Sequence, residues 1–329
     1  CDATVQTNNE ANIAMIAYNV ALNDAKLTID NNDYKNVTGA EKTALQGLID
    51  ADMTGKTGAE IETATSALTT ATTAFKEATP AYDAFANILA RVEDLDADGQ
   101  ASFNTAMADV LAAYEANTCS ADDLANAGAQ AAFVTAIKAQ GAGSDWTGLI
   151  VNPSFEDNSG TLPNGWTTER NTTGSWDYKL YEETLNTNGT TDGKYVLNAW
   201  APQINYIYVK QSVALPAGVY ELSGAVYSDR VQDQHVEAIA NGIYYKSATV
   251  SNNTWETLST EFIVSTESEV TIGIYSNGKN QSGNTDGWFR ADNFKLKYVG
   301  PVSSANMKIY ADVKWGTFVA PFAVAIPED

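Results

Sequence analysis

Near residue 142 the sequence changes its period: before that point apolar residues recur at steps of three and four, and after it they alternate in short runs. Residues three and four apart share one face of a helix, and residues two apart share one face of a strand. The chain is therefore expected to be multidomain α + β, an N-terminal helical bundle followed by an antiparallel β-sandwich. Composition shifts at the same place. Ala, Thr, Asp and Leu dominate the first stretch, which has one proline, Pro80; the tryptophans and most of the Tyr and Gly follow it.

In the first stretch Ile61, Ala64, Leu68, Ala71 and Phe75 form one apolar stripe. Tyr82, Phe85, Leu89 and Val92 form a second, Phe103, Met107, Val110 and Tyr114 a third, and Leu124, Val134 and Ile137 a fourth. Ile13, Ile16, Val20 and Leu27 open the chain with the same spacing and are expected to face a core. Thr38-Gly-Ala-Glu41 and Thr57-Gly-Ala-Glu60 both read as capping boxes. Thr79-Pro80 places a proline at a first helical position, and Ser120 precedes a helix with Asp122 and Asp123 in its first turn. Cys119 is expected as a buried thiol in a turn between helices. Asp94, Asp96, Asp98 and Gly99 begin like a calcium loop, but its twelfth position is Thr105, so a helix capped by Asp98 is the better reading.

The segment "AKLTIDNNDYKNVTGAEKTALQGLID", followed by "TGAEIETATSAL", resembles the FIVAR-type helical repeats of bacterial surface proteins. That resemblance implies a helical unit over 1–78, a second, degenerate copy over 79–142, and a spacer role for both.

The second stretch carries hairpin signals. Asn241-Gly242 lies between "HVEAIA" and "IYYKSATV", the mark of a two-residue I′ turn. Pro216-Ala-Gly218 separates "IYVKQSVAL" from "VYELSGAVYS", and "ETLSTEFIVS", "EVTIGIYS" and "WFRADNFKLKYV" supply further strands. Alternation turns Val213, Leu215, Tyr220, Leu222, Val226, Ile272 and Ile274 inward and Tyr206, Tyr208, Lys210, Tyr227 and Tyr275 outward, with His235 among the latter. Residues 301–329 read as the start of a further β module.

"LIVNPSFEDNSGTLPNGW", "VKQSVALPAGVYELSGAVY" and "WFRADNFKL", in that order over 143–300, resemble the galactose-binding-like jelly rolls of carbohydrate-binding modules. The resemblance implies a structural calcium held by Glu156 and Asp292 with backbone oxygens of Ser154 and Lys194. It implies framework roles for Trp166 and Trp288, and Trp255 is also read as packing. Sugar rings present C–H faces that stack on aromatic rings, while their hydroxyls need polar partners. Trp176, Trp200, Tyr206, Tyr208, Tyr227 and Tyr275, with Asp229, Arg230 and His235, are accordingly the candidate ligand residues; Gln234 is read as a neighbour in the same loop.

The rest of the chemistry is thin. One histidine and two cysteines leave no zinc spacing and no nucleophile–histidine motif, and no pair among 41 acidic residues is singled out for hydrolysis. A formal charge of −22 opposes nucleic acid and anionic lipid. No run of about 18 apolar residues exists to span a membrane. The expectation is a non-catalytic extracellular glycan-binding protein on a bacterial cell surface. The alternative is a structural or adhesive protein whose jelly roll meets a protein partner or acts as a spacer. Cys1 is open to two readings, the lipid-modified first residue of an outer-membrane lipoprotein or a residue inside a longer surface protein.

Overall fold

The computed structural model describes residues 3–157, 163–173, 177–182, 191–201, 203–229, 233–251, 253–277 and 287–302. The chain forms two units, Cys1–Ala139 and Gln140–Asp329. Cys1 and the expected tail module over 303–329 lie outside the described residues.

The first unit is helical: α1 (Ala3–Ile29), α2 (Ala40–Ile49), α3 (Gly58–Glu93), α4 (Ala97–Ala106), α5 (Ala108–Glu115), α6 (Ala121–Asn126) and α7 (Ala129–Ala139). The long α3 buries Ile61, Leu68, Phe75, Tyr82, Phe85 and Val92. Each such side chain contributes roughly 1.5–3 kcal/mol by leaving water. Phe103 and Met107 of the third stripe are buried, as are Leu124 and Ile137 of the fourth. Cys119 is buried in the turn between α5 and α6, and burial pushes its thiol pKa up.

Several helix features depart from the sequence reading, among them the Thr38 box, where Gly39 caps α2 without a side-chain bond. Pro80 does not open a helix but lies inside α3, so the 78/79 boundary expected between repeats falls within one helix. Pro80 sits on the exposed side, where the Lys76 carbonyl it leaves without a helical donor can turn to water. The apolar stripe runs past it from Phe75 through Ala78 to Tyr82, and packing of that face holds the helix together. At α4 the helix starts at Ala97, and the cap is Asp96, which accepts from the Gly99 N–H; Asp98 lies inside the first turn.

A further departure is α1. Ile13, Ile16, Val20 and Leu27 are exposed, at 69, 68, 68 and 74%. The helix instead buries Ala14, Tyr18, Ala25 and Thr28. Both sets have spacings of three and four or their multiples, so periodicity alone could not choose between them. The small residues lie on the buried side, where they allow a neighbouring backbone to approach closely.

The second unit is a two-sheet antiparallel jelly roll. Its strands are β1 (Thr167–Thr173), β2 (Asp177–Glu182), β3 (Tyr195–Ala201), β4 (Gln203–Leu215), β5 (Gly218–Asp229), β6 (Asp233–Ala240), β7 (Ile243–Lys246), β8 (Trp255–Val264), β9 (Ser268–Asn277) and β10 (Gly287–Gly300). One sheet has the order β1-β4-β9-β6-β7 and the other β2-β3-β10-β5-β8. Val213, Leu215, Tyr220, Leu222, Val226, Ile272 and Ile274 are all buried between the sheets, as alternation requires. The β6–β7 hairpin turns at Asn241 and Gly242, whose φ values of +50° and +78° suit a I′ turn. The first three strands, of which β1 has four Thr in seven residues, were not anticipated. Among the described residues no helix is long and apolar enough to cross a membrane.

Candidate functional site

Strand pairing lays out the outer face of the first sheet in rows. Glu169 of β1 pairs with Tyr208 of β4, Tyr208 with Tyr275 of β9, and Tyr275 with His235 of β6. In the next row Lys210 pairs with Gly273, Gly273 with Glu237, and Glu237 with Lys246 of β7. Cross-strand partners share a face, so Tyr206, Tyr208, Tyr275 and His235 are brought together. The Tyr206 and Tyr275 rings lie 6.3 Å apart and 9° from parallel, and Tyr208 meets Tyr275 edge-on at 6.0 Å.

Two of these outward residues are nevertheless buried. Tyr208 is 5% exposed and His235 2%. The His235 ring stacks on Tyr275 at 5.2 Å, its Nδ1 lies 2.8 Å from Asp233 Oδ1 and its Nε2 3.4 Å from Glu237 Oε2. His235 therefore lies beneath the platform, wedged between two carboxylates. Lys210 donates to Glu169 at 2.6 Å, and the Tyr206 hydroxyl bonds the same carboxylate at 3.2 Å. The Lys210 contact holds the Glu169 carboxyl below its usual pKa, and the Glu169 contact raises that of Tyr206. Burial, then the charge of Asp233, raises Tyr275.

The remaining candidates do not join this face. Tyr227 and Asp229 belong to β5 in the other sheet. Tyr227 pairs there with Trp255 and Arg290, its ring 5.8 Å from that of Trp255. It is the edge of a small cluster with Val196, Ala225 and Trp255. Trp255 and Trp166 are buried, in keeping with packing roles. Gln234 is on β6 rather than in a loop and is fully buried. Trp200 is placed on β3 by its pairing with Asp177 and Trp288. Trp176 and Arg230 lie outside the described residues. The sequence reading overlooked Asp233, Glu237, Lys246 and Tyr244, although the alternation that raised His235 also points to Asp233 and Glu237.

A second cluster gathers Ser154, Glu156, Lys194 and Asp292. Asp292 is fully buried. Its Oδ2 accepts from the Asp192 N–H at 2.7 Å and its Oδ1 from the Asn293 N–H at 2.7 Å. Glu156 Oε1 accepts from the backbone N–H groups of Lys194 (2.8 Å) and Tyr195 (2.7 Å), and the Ser154 hydroxyl donates to Asp192 Oδ2 at 2.9 Å. Burial lifts the Asp292 pKa to about 7 against its two N–H partners, with the charges of Asp192 and Glu156 adding to the rise. Asp192 was not anticipated.

The backbone around this cluster is strained. Asn152, Phe155 and Asn293 have φ values of +51°, +55° and +49°; Asn tolerates that region, whereas at Phe155 it costs on the order of 1 kcal/mol. Gly193 has φ +68°, and the Glu156 carboxylate occupies the place its Cβ would take. The Phe294 N–H bonds the Pro153 carbonyl at 2.9 Å, tying the loop to the bulge in β10. Among the described residues no three His, Cys, Asp or Glu side chains are grouped to hold a metal alone. Any cation here would therefore need backbone oxygens as well. Oxygen donors around a buried carboxylate suit a hard cation such as calcium.

No protein-family model matches the sequence, and no curated protein matches it. Solved structures similar to it include TmCBM61 in complex with β-1,4-galactotriose, at 18% identity and a TM-score of 0.35 over 46% of this chain and 97% of that one. Another is the CBM22-1 xylan-binding domain of Paenibacillus barcinonensis Xyn10C, at 19% identity and TM-score 0.36 over 50% of this chain and all of that one. A third, a family 16 carbohydrate-binding module, is 16% identical with TM-score 0.32 over 45% of this chain and 98% of that one.

Proposed function

We propose that the chain is a non-catalytic extracellular glycan-binding protein whose jelly roll binds a neutral sugar chain on the outer face of its first sheet. The helical unit serves as a spacer. The observation that carries this reading is the pair of half-buried, near-parallel rings, Tyr206 and Tyr275, set among Glu169, Asp233 and Glu237. The rings offer a flat apolar floor for C–H faces, and the carboxylates accept bonds from sugar hydroxyls. Acidic glycans are disfavoured, because both lysines on this face already contact carboxylates, Lys210 with Glu169 and Lys246 with Glu237.

Retention in native gels containing soluble polysaccharides tests the reading. Wild-type protein should be slowed by at least one neutral polysaccharide, and Tyr275→Ala should abolish the shift. If no polysaccharide slows the wild type, or if Tyr275→Ala leaves the shift intact, the reading fails.

The second part of the proposal is a structural calcium. Glu156 and Asp292 would hold it with backbone oxygens of Ser154 and Lys194, as the family resemblance implies, and Asp192 joins them in this chain. The ion would supply fixed positive charge beside the buried Asp292 and the exposed Glu156 and Asp192, and clamp the 152–156 loop to β10. Calorimetry of chelated protein with CaCl₂ tests it, and absence of both binding heat and a rise in melting temperature removes the ion.

A further inference from the structure

The floor of the proposed face holds a hydroxyl with nothing to bond. The Tyr208 oxygen is buried and has no hydrogen-bond partner. The Glu237 carboxylate, after burial itself, pushes its pKa up by charge and by a hydrogen-bonding approach, although that approach falls short of full hydrogen-bond geometry. Glu237 is 3% exposed, and its contacts are long, 3.4 Å to His235 Nε2 and 3.7 Å to Lys246 Nζ. Charge-assisted hydrogen bonds usually close to about 2.7–2.9 Å. A buried polar group left without a partner costs the free protein roughly 1–3 kcal/mol. Two imperfectly satisfied groups side by side at one place call for an explanation outside the fold.

The edge of the sheet beside Glu237 is exposed. β7 is a four-residue edge strand, and its outward residues Tyr244 and Lys246 are exposed, Tyr244 at 63%. Tyr245, between them, turns inward onto Phe262 at 6.2 Å. The pairing of Tyr244 with Ile239 and of Lys246 with Glu237 sets both side chains on the same face as Glu237.

We propose that the Tyr208 hydroxyl and the Glu237 carboxylate form a polar subsite that takes a hydroxyl of a neutral sugar, with Tyr244 and Lys246 as its movable wall. One ligand hydroxyl satisfies both groups, accepting from the Tyr208 O–H and donating to Glu237. The long side chains of β7 swing aside to admit it, and the Tyr244 ring closes against the sugar. The inference rests on the platform reading of Tyr206 and Tyr275 and adds to it the group that discriminates between sugars.

Tyr208→Phe separates this role from a structural one. The full chain and the variant are compared in native gels containing xylan, β-1,4-galactan, mannan or β-glucan, and by thermal melting. Deleting a hydroxyl bonded only in the complex should weaken retention about 3- to 10-fold and leave the melting temperature equal or higher. Tyr244→Ala should also weaken retention without lowering the melting temperature. Undiminished retention of Tyr208→Phe, while Tyr275→Ala abolishes binding, overturns the subsite and leaves the platform standing. A lower melting temperature for Tyr208→Phe makes the hydroxyl structural and overturns the subsite as well. No retention of the wild type in any of the four gels overturns the subsite and the platform together.

Discussion

The two units bury polar groups in different ways. In the helical unit two buried hydroxyls bond within the fold, although those of Tyr18 and Thr79, also buried, have no hydrogen-bond partner. The Thr72 hydroxyl closes onto the Leu68 carbonyl at 2.8 Å, and the Tyr82 hydroxyl lies 2.9 Å from Glu41 and 2.8 Å from the Cys119 carbonyl. In the jelly roll the buried set includes His235, Glu237 and Asp292, three ionisable groups, and the unpartnered Tyr208 hydroxyl. Buried charge without full compensation lowers stability, so a fold that keeps it needs a reason beyond stability. Among the described residues only the second unit, the one proposed to bind a ligand, buries carboxylates and a histidine.

The largest expected effect tests whether the units are energetically separate. Phe85→Ala removes a ring from the middle of α3 and should destabilise the helical unit by about 3–5 kcal/mol. Circular dichroism at the helical wavelengths should show an early melting step while glycan retention persists. Loss of retention with the helices would break the separation. The next effect belongs to the jelly roll alone. Calcium at a hundredfold excess over its dissociation constant should stabilise that unit by roughly 3 kcal/mol and leave the helical unit unmoved. Asp292→Asn should erase the response.

A single substitution made in both units sharpens the contrast further. Tyr82→Phe removes one donor shared by the Glu41 carboxylate and the Cys119 carbonyl, which keep the Ala121 and Ala40 N–H groups, a loss of about 1 kcal/mol. Tyr208→Phe removes a hydroxyl that bonds nothing, so stability should hold or rise. Denaturant unfolding of both variants measures the two signs directly. Equal losses would mean that Tyr208 is a structural residue like Tyr82.

The same contrast explains what the sequence disclosed. The change of period at residue 142, the α3 stripe and the inward residues of β4, β5 and β9 were legible because burial imposes a fixed spacing on apolar side chains. The Asn241-Gly242 turn was legible because few residue types tolerate its φ values. The candidate face was only half legible. Alternation says that Tyr206, Tyr208, Tyr227 and Tyr275 point outward, but not from which sheet. Strand order decides that, and it puts Tyr227 on β5, away from the other three. Nor does alternation say which outward groups are covered. His235 and Tyr208 disappear beneath neighbours contributed by β7 and β9, a long-range arrangement that no local pattern records. In α1 the difficulty was different in kind, since two equally spaced stripes compete and the bulkier one stayed outside.

The smallest predicted effect comes from the tetrapeptide Thr-Gly-Ala-Glu, which occurs twice and folds in two ways. At Thr57 it forms a complete capping box: the Glu60 N–H donates to the Thr57 hydroxyl at 3.3 Å, and the Thr57 N–H donates to the Glu60 carboxylate at 2.8 Å. At Thr38 the expected box is absent. The cap position is Gly39, pressed so closely against the Cys119 carbonyl and the Tyr82 hydroxyl that a Cβ would collide with both. The Ala40 N–H bonds that same carbonyl at 2.8 Å, which provides a free donor of α2 with a tertiary partner. Glu41, released from capping, reaches across to the Ala121 N–H at 2.8 Å and to Tyr82. Thr57→Ala should therefore lower stability by about 1 kcal/mol, and Thr38→Ala should change it by less than about 0.5 kcal/mol. Matched losses in chemical denaturation would show that the Thr38 copy caps its helix after all. An unequal pair would show that tertiary contact, not the local motif, decides how α2 begins.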